Sequence, residues 1–420
     1  MLKGMSVAAT TLGCKVNQAE TDSMLDMLKA AGANIVEFDE KADIYIVNTC
    51  SVTNIADKKS RQMLHRARKM NPDGIVIAAG CYVQSAREIL EQDEAIDIVI
   101  SNNKKKSITE IVNDYINVRN NGKNAPGKDH EAMEYFVDIS RETEYEEMGG
   151  HVPVGHTRAY VKIQDGCNQF CSYCIIPYVR GRIRSRSQEA ILAEVSELAE
   201  AGIKEVVLTG IHISSYGKDK NNEGALIELI EAISKIKGIK RIRLGSLEPG
   251  IITEEFVERI SSNSKVCPHF HLSLQSGCDS VLKRMNRKYT CKQYFEKCDM
   301  LRKAYKSPAL TTDVIVGFPG ETEEEFAETV RYLTELNLYE MHIFKYSPRK
   351  GTVAAAMKEQ VAPEIKNERS DVLLKLAHDN KTAYEAQFEG CELEVLVEEV
   401  VKKNNKTYLR GHTERYMDIL

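Results

Sequence analysis

Residues 158–174 read RAYVKIQDGCNQFCSYC. The opening RAYVKIQ predicts a strand over 158–164. The loop that leaves it carries Cys167, Cys171 and Cys174, spaced C-x3-C-x2-C. In a barrel of parallel strands, the loops after the strands build the active site. Three thiolates on one short loop can hold three corners of a cubane iron–sulfur cluster and leave one iron open. Zinc is the alternative reading of the same cysteines. A closed zinc site takes four ligands. No Cys or His follows in IIPYVRGR, and His156 lies upstream across the strand.

Working outward, strand and helix alternate from 157 to about 347. Strands are expected at 158–164, 205–208, 241–244, 269–274, 312–316 and 341–346, with helices such as 188–201, 226–237 and 323–336 between them. Six such units fall short of the eight of a TIM barrel, so the expected shape is a partial, open (β/α)6 barrel. Upstream, 1–101 alternate in the same way. Strands are expected at 7–11, 43–48, 75–79 and 96–100, and helices at 21–31, 56–70 and 87–92. That pattern predicts an open parallel α/β sheet. Residues 102–150 are polar and rich in Gly and Asn, with one helical piece at 107–118. Residues 348–383 read as helical, and 392–401 and 407–411 as two strands of a small β domain. Two or three short strands do not make an independent sheet. The tail therefore reads either as the start of a truncated β domain or as a piece that leans on the barrel. The fold class is α/β, with expected domains at 1–118, 153–383 and 384–420 and a linker over 119–152.

The whole chain has 420 residues, 42% hydrophobic and 28% charged, with a formal net charge of −5. These values exclude wholesale disorder and a collagen-like repeat. No apolar run approaches the ~20 residues of a membrane helix, and the N-terminus MLKGMSVAATTLGC lacks the apolar core of a signal peptide. A cytoplasmic location without membrane contact is expected. The mild acidity does not suggest a non-specific DNA coater, though it leaves room for a local basic patch. Eleven cysteines is an odd number, which disfavours a fully paired disulfide framework. Cys14 follows VAATTLG, Cys50 follows DIYIVNT and Cys81 follows GIVIAAG, so each stands just past an expected parallel strand. Such strand ends lie along one edge of a sheet, where ligands bind. Three unrelated buried thiols are the alternative. Cys267, Cys278, Cys291, Cys298 and Cys391 show no ligand spacing and read as buried or incidental.

The Cys167 motif on this fold resembles the signature of the radical S-adenosylmethionine (radical SAM) superfamily. The whole architecture resembles the methylthiotransferases of that superfamily. The matching segments are TLGCKVNQAET (11–21), NTCSVT (48–53), AGC (79–81), CIIPYVRGRIRSR (174–186), LSLQSG (272–277) and TDVIVGFPGET (312–322). The form TLGCKVNQAET resembles the branch acting on threonylcarbamoyladenosine in tRNA.

The resemblance implies two 4Fe–4S clusters, one on Cys167, Cys171 and Cys174 and an auxiliary one on Cys14, Cys50 and Cys81. It implies S-adenosylmethionine as cosubstrate, with Tyr173 near the adenine. Thr209, Gly210, Ser246, Glu248, Gln275, Asp313 and Gly317 would finish that pocket from the strand ends. A turn glycine at Gly210 and a solvated strand end at Gln275 are the plainer readings. The implied reaction replaces hydrogen by methylthio at C2 of the adenosine just 3′ of the anticodon. An electron donor of the flavodoxin or ferredoxin kind and a tRNA partner follow. For RNA contact the alternating Arg180, Arg182, Arg184 and Arg186 are the candidates; bracing of the cluster loop is their other reading. A second basic group, Lys58, Lys59, Arg61, Arg66, Arg68 and Lys69 on the helix after Cys50, offers the same contact but reads better as a solvated helix face. The tail resembles the start of a TRAM domain, a small RNA-binding β-barrel. Two rival readings exist: a methylthiotransferase for a ribosomal-protein aspartate or another tRNA adenosine, and a non-enzymatic iron–sulfur redox or RNA-binding module. An open iron in each site argues against the latter.

Overall fold

IYIVNT, residues Ile44–Thr49, is buried along its whole length, as a parallel strand covered by helices on both faces must be. The computed structural model describes residues 2–120, 135–150, 157–403 and 406–420. By their packing these fall into two units. The first holds the described part of Met1–His151 together with Gln164–Phe170 and Cys174–Arg186. The second holds the described part of Val152–Ile163 with Cys171–Tyr173 and Ser187–Leu420.

The first unit begins β1 (Ser6–Thr11), α1 (Lys15–Ala30), β2 (Asn34–Val36), β3 (Ile44–Thr49), α2 (Asn54–Met70), β4 (Ile75–Gly80), α3 (Cys81–Ser85), α4 (Arg87–Glu91), β5 (Ile98–Ile100) and α5 (Ile108–Asn120). Its strands form one parallel sheet in the order β2-β1-β3-β4-β5. Alternate residues of each strand feed opposite layers. Ile44, Ile46, Ile75 and Ile77 pack with Met24 and Leu28, while Tyr45, Val47 and Val76 pack with Leu64. The expected strands stand within two residues of their places. The edge strand β2 was not expected, and α1 starts six residues before its expected start at 21. The cause is chemical: α1 buries Asn17, Glu20, Thr21 and Ser23, polar residues that mask a helical apolar stripe. The expected linker lies partly outside the described residues, over 121–134 and 151–152. Residues 135–150 belong to the first unit, where Val137 N–H donates to Ser101 Oγ at 3.1 Å.

The chain continues with β6 (Arg158–Asp165), α6 (Ile176–Val179) and β7 (Arg184–Ser185). Gln164 and Asp165 pair antiparallel with Ser185 and Arg184. The second unit adds α7 (Gln188–Glu200), β8 (Glu205–Gly210), α8 (Ala225–Ser234), β9 (Arg241–Leu244), α9 (Glu254–Ser261), β10 (His269–His271), α10 (Asp279–Arg284), α11 (Cys291–Ala304), β11 (Ala309–Val316), α12 (Glu323–Leu336) and β12 (Glu340–Lys345). β6, β8 and β9 are neighbours in one sheet, and β10, β11 and β12 in another. Parallel bridges Ile242↔Val266 and Leu247↔Leu272 join the two runs. This is the open barrel of six strands, around one core that includes Val161, Val206, Ile242, Phe270 and Leu310.

After α13 (Pro363–Ala386), β13 (Val395–Lys403), β14 (Lys406–Thr413) and β15 (Asp418–Ile419) form an antiparallel sheet. It leans on the barrel, at the N-terminal ends of its strands. Arg158, Glu205 and Arg241 each begin a strand, and Arg243 follows two residues on. Glu205 is fully buried and takes Arg158 Nε and Arg243 Nε, each at 2.8 Å. Arg158 reaches Glu398 at 2.7 Å, Arg241 reaches the His412 carbonyl at 3.0 Å, and Arg243 the Glu414 carbonyl at 2.9 Å. The Tyr416 ring lies under both Arg158 and Arg243 and stacks on His412 at 4.4 Å. No helix among the described residues is long and apolar enough to cross a membrane.

Candidate functional site

In the first unit, β1, β3 and β4 are adjacent, so their C-terminal ends share an edge. Cys14 is the N-cap of α1, Cys50 follows β3 directly, and Cys81 follows β4 directly. The structure thus brings these three cysteines to one place. Gly13, with φ +103°, lies so close that a Cβ on it would stand 2.7 Å from Cys50 Sγ. Cys50 and Cys81 are buried and Cys14 is exposed. Burial pushes the Cys50 thiol up to about 11, and the charges of Cys81 and Cys14 push the same way. Thiols that repel as thiolates at a crowded sheet edge suit a multiply charged metal group, which would deprotonate and hold all three.

Arg180 enters this edge with no exposed surface. Its Nε donates to Cys81 Sγ at 3.2 Å. Its two terminal nitrogens reach Glu20 and Asn17 at 2.5 Å and Asp165 at 3.1 Å. Burial opposes the guanidinium charge; Asp165, Cys81 and Glu20 outweigh it and hold its pKa well above the usual arginine value. Glu20 is also paired with buried Lys105. Asn102 Nδ2 donates to the Val179 carbonyl at 2.7 Å and stands 4.0 Å from Cys81 Sγ.

The expectation that the four alternating arginines face RNA is therefore corrected for three of them. Arg184 is buried, donating to the Arg180 carbonyl at 2.9 Å, and buried Arg186 pairs with Glu147 at 2.6 Å. A guanidinium buried on carboxylates or carbonyls does not reach solvent to meet a phosphate. Arg182 is exposed and stacks on Phe170 at 4.4 Å. On α2, Arg66 pairs with Asp39, while Arg68 ties Asp97 and the Gly74 carbonyl, so that face is only partly free.

The second cysteine set follows β6. Cys167 N–H donates to the Gly181 carbonyl at 3.0 Å within the first unit. In the second unit, Ser172 is fastened by its N–H to the Met285 carbonyl at 3.0 Å and by its hydroxyl to the Arg284 carbonyl at 2.8 Å. Tyr173 packs against Cys278, Met285, Phe318 and Tyr346. Arg287 donates to Cys171 Sγ at 3.2 Å, to Tyr289 Oη at 2.8 Å and to the Ser273 carbonyl at 3.2 Å. It also pairs with Glu248 at 3.1 Å. Glu248 takes His212 Nε2 at 2.5 Å, and Ser215 Oγ holds the other ring nitrogen at 2.5 Å. Burial alone would raise the Glu248 pKa; His212 and Arg287 reverse that and hold it below the usual carboxylate range.

The other pocket candidates lie at the C-terminal ends of the barrel strands. Thr209 and Gly210 end β8, with Thr209 buried, and Ser246 is exposed beyond β9. Gln275 is no solvated strand end: its φ is +75°, its N–H meets the Asp313 carbonyl at 2.9 Å, and it is buried. Gly317 follows β11, its N–H on Glu321 at 2.6 Å. Asp313 lies on β11. Of the remaining cysteines, Cys267, Cys278, Cys291 and Cys298 are buried, and burial pushes Cys267 and Cys298 up to about 12. Asn17, Glu20, Arg287 and His212 were not foreseen. Asn17 and Glu20 did carry a signal, three residues apart on one helix face; Arg287, 116 residues from Cys171, carried none.

The family model described as Radical SAM superfamily matches residues 161–333, and the one described as Uncharacterized protein family UPF0004 matches residues 6–101. The chain is similar to the threonylcarbamoyladenosine tRNA methylthiotransferase MtaB of Bacillus subtilis, 39% identical over 416 residues, 99% of this chain and 90% of that protein. The MtaB of Aquifex aeolicus is 37% identical over 99% of this chain and 98% of its own length. The tRNA-2-methylthio-N(6)-dimethylallyladenosine synthase of Thermoanaerobacter pseudethanolicus is 36% identical over 96% of this chain and 85% of its own. Among solved structures, the radical S-adenosylmethionine methyltransferase TsrM of Kitasatospora setae aligns with TM-score 0.57 at 15% identity, over 82% of this chain and 77% of that one. At that identity the likeness concerns the fold alone.

Proposed function

Because this chain belongs to the radical SAM tRNA methylthiotransferase family, we propose that it methylthiolates C2 of N6-threonylcarbamoyladenosine at position 37 of tRNA. The radical SAM fold implies a 4Fe–4S cluster and S-adenosylmethionine. In this reading Cys167, Cys171 and Cys174 hold that cluster, and Cys14, Cys50 and Cys81 hold a second one. When bound, these groups supply one-electron activation of a C–H bond and the sulfur and methyl that are transferred.

The chain's own residues bind, orient and exclude water. Tyr173, Thr209, Gly210, Ser246, Glu248, Gln275 and Gly317 would line the S-adenosylmethionine pocket. Exposed Arg182 is the remaining candidate of its run for phosphate. The partners would be a tRNA and a reductant of the flavodoxin or ferredoxin kind, in the cytoplasm. The observation that carries the reading is a repeated device. Each cysteine set stands at the C-terminal end of parallel strands, and in each an arginine donates to one sulfur at 3.2 Å, buried Arg180 to Cys81 and half-buried Arg287 to Cys171. Such donors favour a bound anionic sulfur over a neutral thiol.

The test is anaerobic reconstitution with iron and sulfide, then S-adenosylmethionine, dithionite and tRNA bearing threonylcarbamoyladenosine, with nucleosides read by mass spectrometry. A gain of one methylthio group, absent from Cys171→Ala, is expected. The same assay is run on tRNA bearing dimethylallyladenosine, and modification there but not of threonylcarbamoyladenosine would move the substrate to that of the second kind of relative. Intact reducible clusters that release no deoxyadenosine and give no modified nucleoside would overturn the enzymatic reading.

A further inference from the structure

Three neighbouring barrel strands place His271 (β10), Asp313 (β11) and His342 (β12) on one face. Asp313 and His342 are register partners, and His271 is opposite Thr311, two residues before Asp313. One ligand atom from each of the three lies within 4.8 Å of the others. The imidazoles of His271 and His342 stack 5.9 Å apart at 22°. His271 Nδ1 is bonded to Thr311 Oγ1 at 3.0 Å, the outer contact that orients a ligating imidazole. His271 Nε2 is buried and makes no hydrogen bond among the described residues. The Asp313 carboxylate stands 3.4 Å from it. Two ligand atoms bound about 2.1 Å from one tetrahedral ion are themselves about 3.4 Å apart. Thr311 Oγ1 can accept from Nδ1; in that tautomer the Nε2 lone pair faces the Asp313 carboxylate, and a cation between them removes the repulsion.

We infer that His271, Asp313 and His342 form a site for a divalent transition metal of the zinc class, separate from both cysteine sets. Two imidazoles and one carboxylate match its ligand preference and leave a fourth position for water or an incoming carboxylate. Asp313, expected in the S-adenosylmethionine pocket, is thereby given to the ion. The inference does not rest on the tRNA reading.

The experiment uses the cluster-loaded chain, given one equivalent of zinc sulfate, desalted, and analysed for zinc, iron and sulfide. The wild type should retain zinc at least tenfold better than His342→Ala at equal iron and sulfide, since loss of a ligand costs no less than loss of its outer partner, about 10–100-fold. His342 is exposed, so its truncation spares the fold; Asp313→Asn is the second variant. Zinc-edge X-ray absorption should show nitrogen and oxygen at about 2.0–2.1 Å and no sulfur at about 2.3 Å. Equal zinc in wild type and His342→Ala, or a sulfur shell in the wild type, would overturn the site and leave His271 and Asp313 as a proton-sharing pair.

Discussion

Arg180 spends every donor on Cys81, Asn17, Glu20 and Asp165. Its removal takes the shared cation from buried Glu20 and Asp165 and leaves Glu20 only Lys105. Arg180→Met is expected to cost the cluster-free chain about 3–5 kcal/mol, read as a fall in urea midpoint. Arg180→Lys keeps the charge but not the planar fork and should fall between. Gly166 makes a second residue-scale prediction. Its φ is +72°, and a Cβ there would stand 1.8 Å from the Arg182 carbonyl. Backbone must move to admit it, so Gly166→Ala should lower the iron bound at Cys167, measured per chain after reconstitution. The cysteines were legible because each is tied to a local strand. Arg180, Arg184 and Arg186 were misread because a charge run looks alike whether it meets phosphate or buried protein groups. Asn17 and Glu20 lie 163 and 160 residues from Arg180, beyond any local pattern.

At the scale of elements, α12 starts with a capping box. Thr322 Oγ1 accepts from Glu325 N–H at 3.3 Å, and Glu325 accepts from Thr322 N–H at 3.1 Å. Thr322→Ala should cost about 1 kcal/mol, seen as a lower thermal midpoint. Glu325 also clamps α10 through Arg284 at 2.6 Å. That hydrogen bond holds its carboxyl at about 2, against a usual 4.5. The folded value is depressed, so the stabilisation is present above pH 4.5 and fades as pH falls toward 2. The pair is partly solvated, so Glu325→Gln should cost only about 1 kcal/mol at neutral pH. Denaturation at several pH values should show the gap between wild type and variant closing below pH 4.5. Barrel strands were legible because apolar runs bounded by turn residues have a length signature. The start of α1 was not, since its buried face is polar.

For the whole molecule, the terminal sheet matters as the floor of the barrel. Tyr416→Ala removes the ring between Arg158, Arg243 and His412, and about 2 kcal/mol of barrel stability should go with it. Hydrogen exchange should speed at the starts of β6, β8 and β9, at the other end of β6 from the Cys167 loop. The sequence showed strands in this tail and left open whether they stood alone, because the arginines that receive them are spread over three earlier strands. The burial of Arg180 also sets a clock. A ribosome adding about 5–20 residues per second takes on the order of ten to thirty seconds to travel from Glu20 to Arg180. Through that interval the nascent strand-end cysteines have been made but their arginine has not. Arg180 emerges only after Cys167, Cys171 and Cys174, so order of synthesis leaves the first unit unfinished until both cysteine sets exist.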